Sequence, residues 1–345
     1  MMQLEYNVHR IYLKHTFSIS RSSNNYYDIL IIKIFEDDII GIGEAAPNKR
    51  YNETINDIKS VLDKGLILPE HIIDRESTWN IIYPQLCGIK SLEAAFSIAL
   101  WDWWGQKLKH PVHKLFNSRI DNLPPTSFTL AIGDLNDIGK KIEEAEPYSI
   151  LKIKLGTPNQ DKEIIKEVRR FTEKPIRVDA NEGWGEESAL DMCKWLADFN
   201  VELVEQPFPS TMLDSSHRLK AKSPLDIYAD ESSKSFCDLK SIKHAFDGIN
   251  IKLMKCGSLE EAQKMINAAK SFNLKIMLGC MVETSIGITA AANLAGQVDC
   301  LDLDGNLLIK NDPFSGVQIR NGRLKLSSRS GLGLISSEIL QGNKL

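Results

Sequence analysis

The chain has 345 residues, 43% hydrophobic and 26% charged, which is typical of a globular protein with a sizeable core. A net charge of −4 argues against a nucleic-acid partner, and no apolar stretch is long enough to cross a membrane. The first residues lack the pattern of a secretory signal peptide, and the cysteines form no C-x-x-C pair. We therefore expect a cytoplasmic protein with reduced thiols, and its oligomeric state, a homo-oligomer included, is left open.

The N-terminal part is predicted to combine strands and helices. β-branched runs at 28–35 and 39–43 are typical of strands and are separated by a polar turn. Polar stretches at 17–26 and 47–53 are predicted to be loops, either simple surface loops or loops long enough to contact a ligand. Residues 53–118 are predicted to be mainly helical.

After Pro125, short apolar runs alternate with helical segments. The runs lie at 127–132, 151–155, 176–179, 203–205, 227–230, 249–253, 275–278 and 299–303. This alternation predicts an α/β fold with a parallel sheet, and eight such strands close a (β/α)8 barrel. An open doubly wound sheet is the alternative, although no G-x-G-x-x-G motif follows the first run.

The predicted domain division follows from where this alternation begins and ends. Residues 1–120 form the N-terminal domain, and residues 121–305 form the barrel. Residues 306–345 do not continue the alternation, and they are predicted to return and pack on the N-terminal domain.

The second predicted strand carries a pair of lysines in the segment 151–156. Lys152 and Lys154 lie on one face because the side chains of a strand alternate with a period of two. In a sheet covered on both sides that face is interior, where two ammonium groups are costly. Desolvation and a neighbouring cation both lower the pKa of a lysine, which is how a lysine becomes a base near neutral pH. The alternative is a solvated strand end with two surface lysines.

Acidic residues end the third, fourth and fifth predicted strands. Asp179, Glu205 and Asp230 would converge at the catalytic face of a barrel, because the carboxyl ends of its strands meet there. Three carboxylates repel each other unless a cation lies between them, and oxygen ligands alone favour Mg2+ or Mn2+. The alternative for each acid is a helix N-cap or a surface charge.

The sixth predicted strand adds a lysine on the far side of the barrel. Lys252 lies four strands from Lys154, so the two would flank whatever the metal binds. Lys255 is the competitor for this position, but it is predicted to lie beyond the strand end. Two bases on opposite faces of one carbon suit a 1,1-proton transfer through an enolate that the metal stabilises.

The whole pattern resembles the enolase superfamily, in its subgroup similar to muconate-lactonising enzymes. The matching segments are 43–47, 99–102, Lys152 with Lys154, 179–181, 205–207, 230–232 and Lys252. The resemblance implies a modified TIM (β/α) barrel with an N-terminal α+β capping domain that the C-terminal segment completes. It also implies that loops near 17–26 and 47–53 close over the substrate. The branch similar to mandelate racemase is disfavoured, because it uses a histidine late in the barrel and no histidine stands there.

Within this subgroup, the end of the eighth strand is the most informative feature. Asp302 and Asp304 share a face by the strand period, and two carboxylates suit a cation. The pair looks like the one by which dipeptide epimerases hold the α-ammonium group of their substrate. The alternative is a fourth metal ligand or a cap at the strand end.

The resemblance thus implies a Mg2+-dependent dipeptide epimerase that acts on the C-terminal residue of an L,L-dipeptide. Lys154 and Lys252 would be the acid/base pair, and Lys152 would help to lower the pKa of Lys154. Further predicted substrate contacts are Arg21, Thr129, Met281 and Glu283. Because Arg21 could pair with an acidic side chain, the first predicted substrate is L-Ala-L-Glu, giving L-Ala-D-Glu.

Two alternatives to this function are left open. The same site could carry out the reactions of o-succinylbenzoate synthase or muconate cycloisomerase, which give no role to the paired aspartates. A non-catalytic barrel that binds Mg2+ and a carboxylate ligand is the second alternative, although the retention of both lysines argues against it.

Overall fold

The computed structural model describes residues 1–19, 22–131, 133–157 and 159–337. In the first two of these ranges, three antiparallel strands form a sheet, in the order β1 (Gln3–Ile19), β2 (Ser22–Glu36) and β3 (Ile39–Ala45). The prediction of a loop over 17–26 is therefore wrong for most of that stretch. Backbone pairing of Phe17 with Asn24 continues the ladder, and an antiparallel hairpin accepts polar side chains where one face meets solvent.

Four α-helices follow in the described part of the cap: α1 (Ile55–Leu62), α2 (Arg75–Ile82), α3 (Lys90–Lys107) and α4 (Val112–Leu115). The longest, α3, lies directly against β3. A Cβ atom at Gly43 would collide with the carbonyl oxygen of Ala95, and one at Gly41 would collide with that of Ala99. These glycines are required because they let the helix backbone approach the sheet this closely.

Eight parallel strands in the described ranges form the second sheet, and each pairs with the next along the chain. They are β4 (Phe128–Leu130), β5 (Leu151–Lys154), β6 (Ile176–Asp179), β7 (Val201–Glu205), β8 (Asp226–Ala229), β9 (Gly248–Ile251), β10 (Lys275–Gly279) and β11 (Cys300–Asp302). The amide of Ser127 donates to the carbonyl of Leu301 at 3.1 Å, which joins the first strand to the last. The predicted barrel is thus confirmed, and the open doubly wound sheet is wrong.

Helices cover the outside of this barrel. Those described are α5 (Ile138–Glu144), α6 (Asp161–Arg169), α7 (Glu186–Ala197), α8 (Leu213–Lys220), α9 (Leu239–Ile242), α10 (Leu253–Cys256), α11 (Leu259–Ser271) and α12 (Ser285–Ala292). The sixth barrel strand ends at Ile251, two residues before its predicted end. Lys252 is still extended, but its carbonyl already accepts the amide of Cys256 at 3.1 Å, so the chain turns into α10 at once.

After the barrel the chain forms short strands. They are β12 (Phe314–Ser315), β13 (Gln318–Arg320), β14 (Arg323–Lys325) and β15 (Ile335–Ser336). Residues between these strands contact both the N-terminal part and the barrel. The amide of Leu332 donates to Asp102 of α3 at 2.7 Å, whereas the carbonyl of Gly322 accepts the amide of Thr126 at 2.8 Å. The division into residues 1–120, 121–305 and 306–345 stays a prediction.

Two further features concern the helices and the cysteines. Within the described ranges, none of the helices has the length and apolar character that crossing a bilayer requires. All six cysteines lie in these ranges, and none of them is in a disulfide there.

Candidate active site

The lysine pair of β5 lies inside the barrel. The side chain of Lys152 is 1% exposed and that of Lys154 is 11% exposed, so the alternative of a solvated strand end is wrong. In the parallel register, Lys154 pairs with Asp179, and Asp179 pairs with Glu205. The sheet therefore places a base candidate and two acids side by side at the carboxyl ends of three neighbouring strands.

Three buried carboxylates converge at this end of the barrel. Asp179, Glu205 and Asp230 each place an oxygen within 4.8 Å of the others. All are buried, so the alternative of surface charges is wrong. Burial and then the charge of Asp179 raise the pKa of Glu205 to about 7, against the nearby lysines. Such a group is costly unless a cation compensates its charge.

The donor set of this cluster fits Mg2+ or Mn2+. All of its donors are carboxylate oxygens, which these hard cations prefer, and it has no soft sulfur or imidazole ligand among the described residues. Glu205 Oε2 lies 2.7 Å from Lys152 Nζ, but it accepts no hydrogen bond of normal geometry from the described part of the chain. That oxygen is buried without a hydrogen bond from the described residues, a need that a bound cation would meet.

Lys152 acts as a counter-cation within the cluster. Its Nζ lies 2.7 Å from Glu205, 2.7 Å from Asp302 and 3.2 Å from Asp179. Burial lowers the pKa of Lys152, but these carboxylates outweigh burial and raise it well above its usual value. That Lys152 helps to lower the pKa of Lys154 stays a prediction.

The two lysines proposed as the acid/base pair contact different members of the cluster. Lys154 Nζ donates to Asp179 Oδ2 at 2.7 Å, and Lys252 Nζ donates to Asp230 Oδ2 at 2.7 Å. Their strands, β5 and β9, are four apart in the barrel and so lie on opposite sides of it. The cluster therefore has an amino group on each of two sides.

Asp302 and Asp304 are both buried, but they have different partners. Asp302 bonds Lys152 through Oδ2 and accepts the hydroxyl of Ser127 through Oδ1, each at 2.7 Å. Asp304 accepts the amide of Thr129 at 2.6 Å, which brings together two of the predicted substrate contacts. Burial and the charge of Asp302 raise the pKa of Asp304 to about 7. Of the two carboxylates, Asp304 is the one that is not paired with Lys152.

The remaining predicted substrate contacts lie in two places. Met281 and Glu283 lie in the loop after β10, and Glu283 Oε1 accepts the amide of Met281 at 2.7 Å. Burial and then the charge of Glu44 raise the pKa of Glu283 to about 8. Arg21 lies outside the described residues. The structure thus relates Met281 to Glu283, and the substrate roles of all three residues stay predictions.

The cap reaches the catalytic face at two points. In the stretch 47–53, Arg50 binds both carboxylate oxygens of Glu182, at 2.7 and 2.8 Å, in the loop after β6. At the end of β3, Glu44 accepts the amides of Thr284 at 2.9 Å and Gly287 at 3.3 Å. Glu44 thereby accepts hydrogen bonds from amides at the start of α12. The first amides of a helix have no acceptor within the helix itself, so they need such a partner.

Several residues beside the cluster were not among the predicted site residues. Asn250 donates to Glu205 Oε1 at 2.7 Å, and Lys255 donates to Asp230 Oδ1 at 2.6 Å. The strand period could have indicated Asn250, because it precedes Lys252 by two residues and so shares its face. No local pattern indicated Ser127, whose contact with Asp302 arises only where the barrel closes.

Comparisons with protein families agree with this architecture. Residues 5–116 match the N-terminal domain of the mandelate racemase and muconate lactonizing enzyme family, and residues 137–338 match the enolase C-terminal domain-like family. Together these matches cover most of the chain.

Individual relatives match along nearly the whole chain. An L-Ala-D/L-Glu epimerase of Bacteroides thetaiotaomicron is 37% identical and covers 97% of this chain and 88% of its own length. An L-Ala-D/L-amino acid epimerase of Flavobacterium johnsoniae is 35% identical, with coverages of 96% and 99%.

Solved structures give the same result. The substrate-liganded L-Ala-D/L-Glu epimerase of Bacillus subtilis has a TM-score of 0.90 at 27% identity and covers 97% of this chain and 98% of its own. A dipeptide epimerase of Enterococcus faecalis V583, complexed with Mg and L-Leu-L-Tyr, has a TM-score of 0.88 at 30% identity, with coverages of 96% and 98%. The chain therefore belongs to the mandelate racemase and muconate lactonizing enzyme family of the enolase superfamily.

Proposed function

We propose that the protein is a Mg2+-dependent dipeptide epimerase that inverts the α-carbon of the C-terminal residue in an L,L-dipeptide. The observation that carries this proposal is the placement of Lys154 and Lys252, on opposite sides of the barrel, around one buried carboxylate cluster. A 1,1-proton transfer needs an acid/base group on each face of the reacting carbon. Relatives named as dipeptide epimerases support the same reaction.

Asp179, Glu205 and Asp230 would hold the Mg2+, or Mn2+ in its place. When bound, the cation neutralises the carboxylate of the substrate and stabilises the charge that develops when the α-proton leaves. The protein contributes three fixed oxygens from neighbouring strands and keeps water away from them, since all three side chains are buried.

The lysines transfer the proton. For epimerisation, one amino group must be neutral to accept the α-proton while the other is charged to donate a proton to the opposite face. Burial lowers the pKa of Lys252, but the Asp230 and Glu205 carboxylates outweigh burial and raise it above its usual value. The hydrogen bond to Asp230 favours the ammonium form of Lys252, which is the form that donates a proton to the α-carbon.

Asp304 and Asp302 would bind the α-ammonium group at the other end of the dipeptide. A carboxylate attracts an ammonium most strongly when no other cation already neutralises it. Asp302 is paired with Lys152 at 2.7 Å, whereas Asp304 accepts the uncharged amide of Thr129. We therefore assign the larger share of ammonium binding to Asp304, with Asp302 fixing Lys152.

The identity of the side chains in the preferred dipeptide is proposed from the resemblance to the family. L-Ala-L-Glu is the first substrate to test, because Arg21 could pair with the acidic side chain. Thr129, Met281 and Glu283 are proposed as further contacts with the substrate. A cytoplasmic location and assembly into a homo-oligomer also stay predictions.

The function is tested by hydrogen exchange. Incubating L,L-dipeptides with the protein and Mg2+ in D2O should incorporate deuterium at the C-terminal α-carbon and produce the L,D-epimer. NMR detects the loss of the α-proton signal, and chiral chromatography detects the epimer. EDTA should stop both processes. If no member of a broad L,L-dipeptide library exchanges its C-terminal α-proton, the epimerase proposal is wrong.

Substitution of the two aspartates separates this function from the reactions without an ammonium substrate. Asp304→Asn should raise the KM for dipeptides about 10- to 100-fold, because a charged contact is worth about 1.5–3 kcal/mol, and leave the unfolding midpoint unchanged. Asp302→Asn should also lower the unfolding midpoint, because Lys152 loses a buried partner. Steady-state kinetics and urea unfolding measure these effects.

The matched control is an N-acetyl dipeptide, which has no ammonium group. Its KM should be similar for the unaltered protein and for Asp304→Asn. An unchanged KM for free dipeptides in Asp304→Asn would contradict the assignment. If the unaltered protein turns over no dipeptide, o-succinylbenzoate synthase or muconate cycloisomerase activity is favoured instead, and Asp304→Asn should keep full turnover of those substrates.

A further inference from the structure

Lys255 is a buried cation that transfers no proton in the proposed reaction. Its side chain is 0% exposed. Its Nζ donates to Asp230 Oδ1 at 2.6 Å, to the Asp230 carbonyl at 2.6 Å and to the Asn250 carbonyl at 2.8 Å. A lysine ammonium has three donors, so these bonds use all of them. Lys255 is therefore fixed in place and not directed at the substrate.

Asp230 needs such support because it lies just beyond the end of β8 at Ala229. Lys252 binds one oxygen of its carboxylate at 2.7 Å, and Lys255 binds the other oxygen together with the backbone carbonyl. In addition, Gln206 Oε1 accepts the Asp230 amide at 2.9 Å. The lysine contacts hold both ends of the residue, which fixes the rotation of the carboxylate.

Asn250 extends this support to a second carboxylate. It lies in β9 and donates through Nδ2 to Glu205 Oε1 at 2.7 Å, while its carbonyl accepts Lys255. The neighbouring strand accommodates the amide because Gly279 has no side chain; a Cβ there would lie 2.5 Å from Asn250 Oδ1. One short stretch of chain thus contacts two of the three carboxylates.

We infer that Lys255 and Asn250 are positioning residues that hold the Asp230 and Glu205 carboxylates in the orientation that binds the divalent cation. The inference rests on the proposed function only in taking these acids as metal ligands. Groups that orient metal ligands typically change metal affinity about 10- to 100-fold when they are removed. Neither residue needs to touch the substrate for this effect.

The test measures metal binding without substrate. In the full chain, Asn250→Ala removes the amide without changing any charge, and Lys255→Met keeps the length of the side chain without its donors. Titration with Mn2+, followed by calorimetry or by electron paramagnetic resonance, should give a Kd about 10- to 100-fold higher in both variants. At saturating Mg2+, dipeptide exchange in D2O should recover towards that of the unaltered protein, because both transfer lysines remain.

The direction of the change in the Kd for Mn2+ distinguishes a positioning role from a simple effect of charge. A cation beside the cluster repels a metal ion, so loss of its charge alone would tighten Mn2+ binding. Weaker binding therefore reports lost positioning. Lys264→Met, at an exposed lysine of α11, is the matched control and should leave the Kd unchanged.

Each outcome decides the inference. Unchanged or tighter Mn2+ binding in a folded variant overturns the role of that residue. If Lys255→Met does not fold by circular dichroism, Asn250→Ala decides alone, because the lysine ion pairs of the cluster stay intact in it. An unaltered protein that binds no Mn2+ overturns both the inference and the metal assignment. Intact Mn2+ binding without any dipeptide exchange overturns only the proposed reaction.

Discussion

Replacing either Lys154 or Lys252 with alanine should reduce epimerisation about 100- to 10,000-fold, the usual contribution of a positioned acid/base group. Inversion needs both lysines, because the proton leaves on one face and returns on the other. Exchange without inversion needs one lysine, which removes the α-proton and returns deuterium to the same face. Each variant should therefore exchange one epimer of the dipeptide in D2O and not the other, and the preferred epimer should be opposite in the two variants.

The measurement follows deuterium incorporation by NMR with the L,L- and L,D-dipeptides, each with Mg2+. Mn2+ binding and circular dichroism establish that each variant still folds and holds the cation. Lys166→Ala, at an exposed lysine of α6, is the control and should change neither process. The assignment of the lysines to opposite faces fails if either folded variant still epimerises, or if both variants exchange the same epimer.

Replacing Lys152 with methionine should destabilise the metal-free protein by about 3–5 kcal/mol, the cost of removing one partner from a buried ion pair. The ammonium lies 2.7 Å from both Glu205 and Asp302 and is 1% exposed, so water cannot replace it without rearrangement. Methionine is similar in length but uncharged. Excess Mg2+ should recover part of the lost stability, because a ligand that binds only the folded state stabilises it.

Urea unfolding of Lys152→Met and of the unaltered protein, each with EDTA and with Mg2+, measures this effect. Lys166→Met is the control, since an exposed ion pair contributes at most about 1 kcal/mol. Equal unfolding midpoints for Lys152→Met and the unaltered protein in EDTA would contradict the role of Lys152 as the counter-cation of the cluster. A dependence on Mg2+ that is no larger in the variant would contradict the expected rescue.

Much of the fold was predictable because its signals are local. Alternation of apolar runs with helical segments depends on the backbone period of each element, and it indicated all eight barrel strands in order. The positions of Asp179 and Glu205 follow from the same pattern, because both stand at strand ends and parallel strands present those ends to one face. The loop prediction for residues 17–18 and 23–26 is wrong because polar side chains on paired strands that meet solvent look like those of a loop.

The partners of the charged side chains were beyond the reach of local patterns. The strand period placed Lys152 beside Lys154 and Asp302 beside Asp304, and suggested a pair in each case. In the structure, Lys152 and Asp302 bind each other across the closure of the barrel, 150 residues apart along the chain. That contact gives the two aspartates unequal environments.

The sequence by itself determined the barrel, the strand ends that carry the acids, and the two lysines on opposite sides. These depend on residue types and spacings, which any strand or helix expresses locally. Only the tertiary structure decided which oxygen each ammonium binds. Lys252 binds one carboxylate oxygen of Asp230, whereas Lys255 binds the other carboxylate oxygen and the backbone carbonyl. Such pairings depend on distances of a few ångströms between distant parts of the chain, and those distances exist only after the barrel has closed.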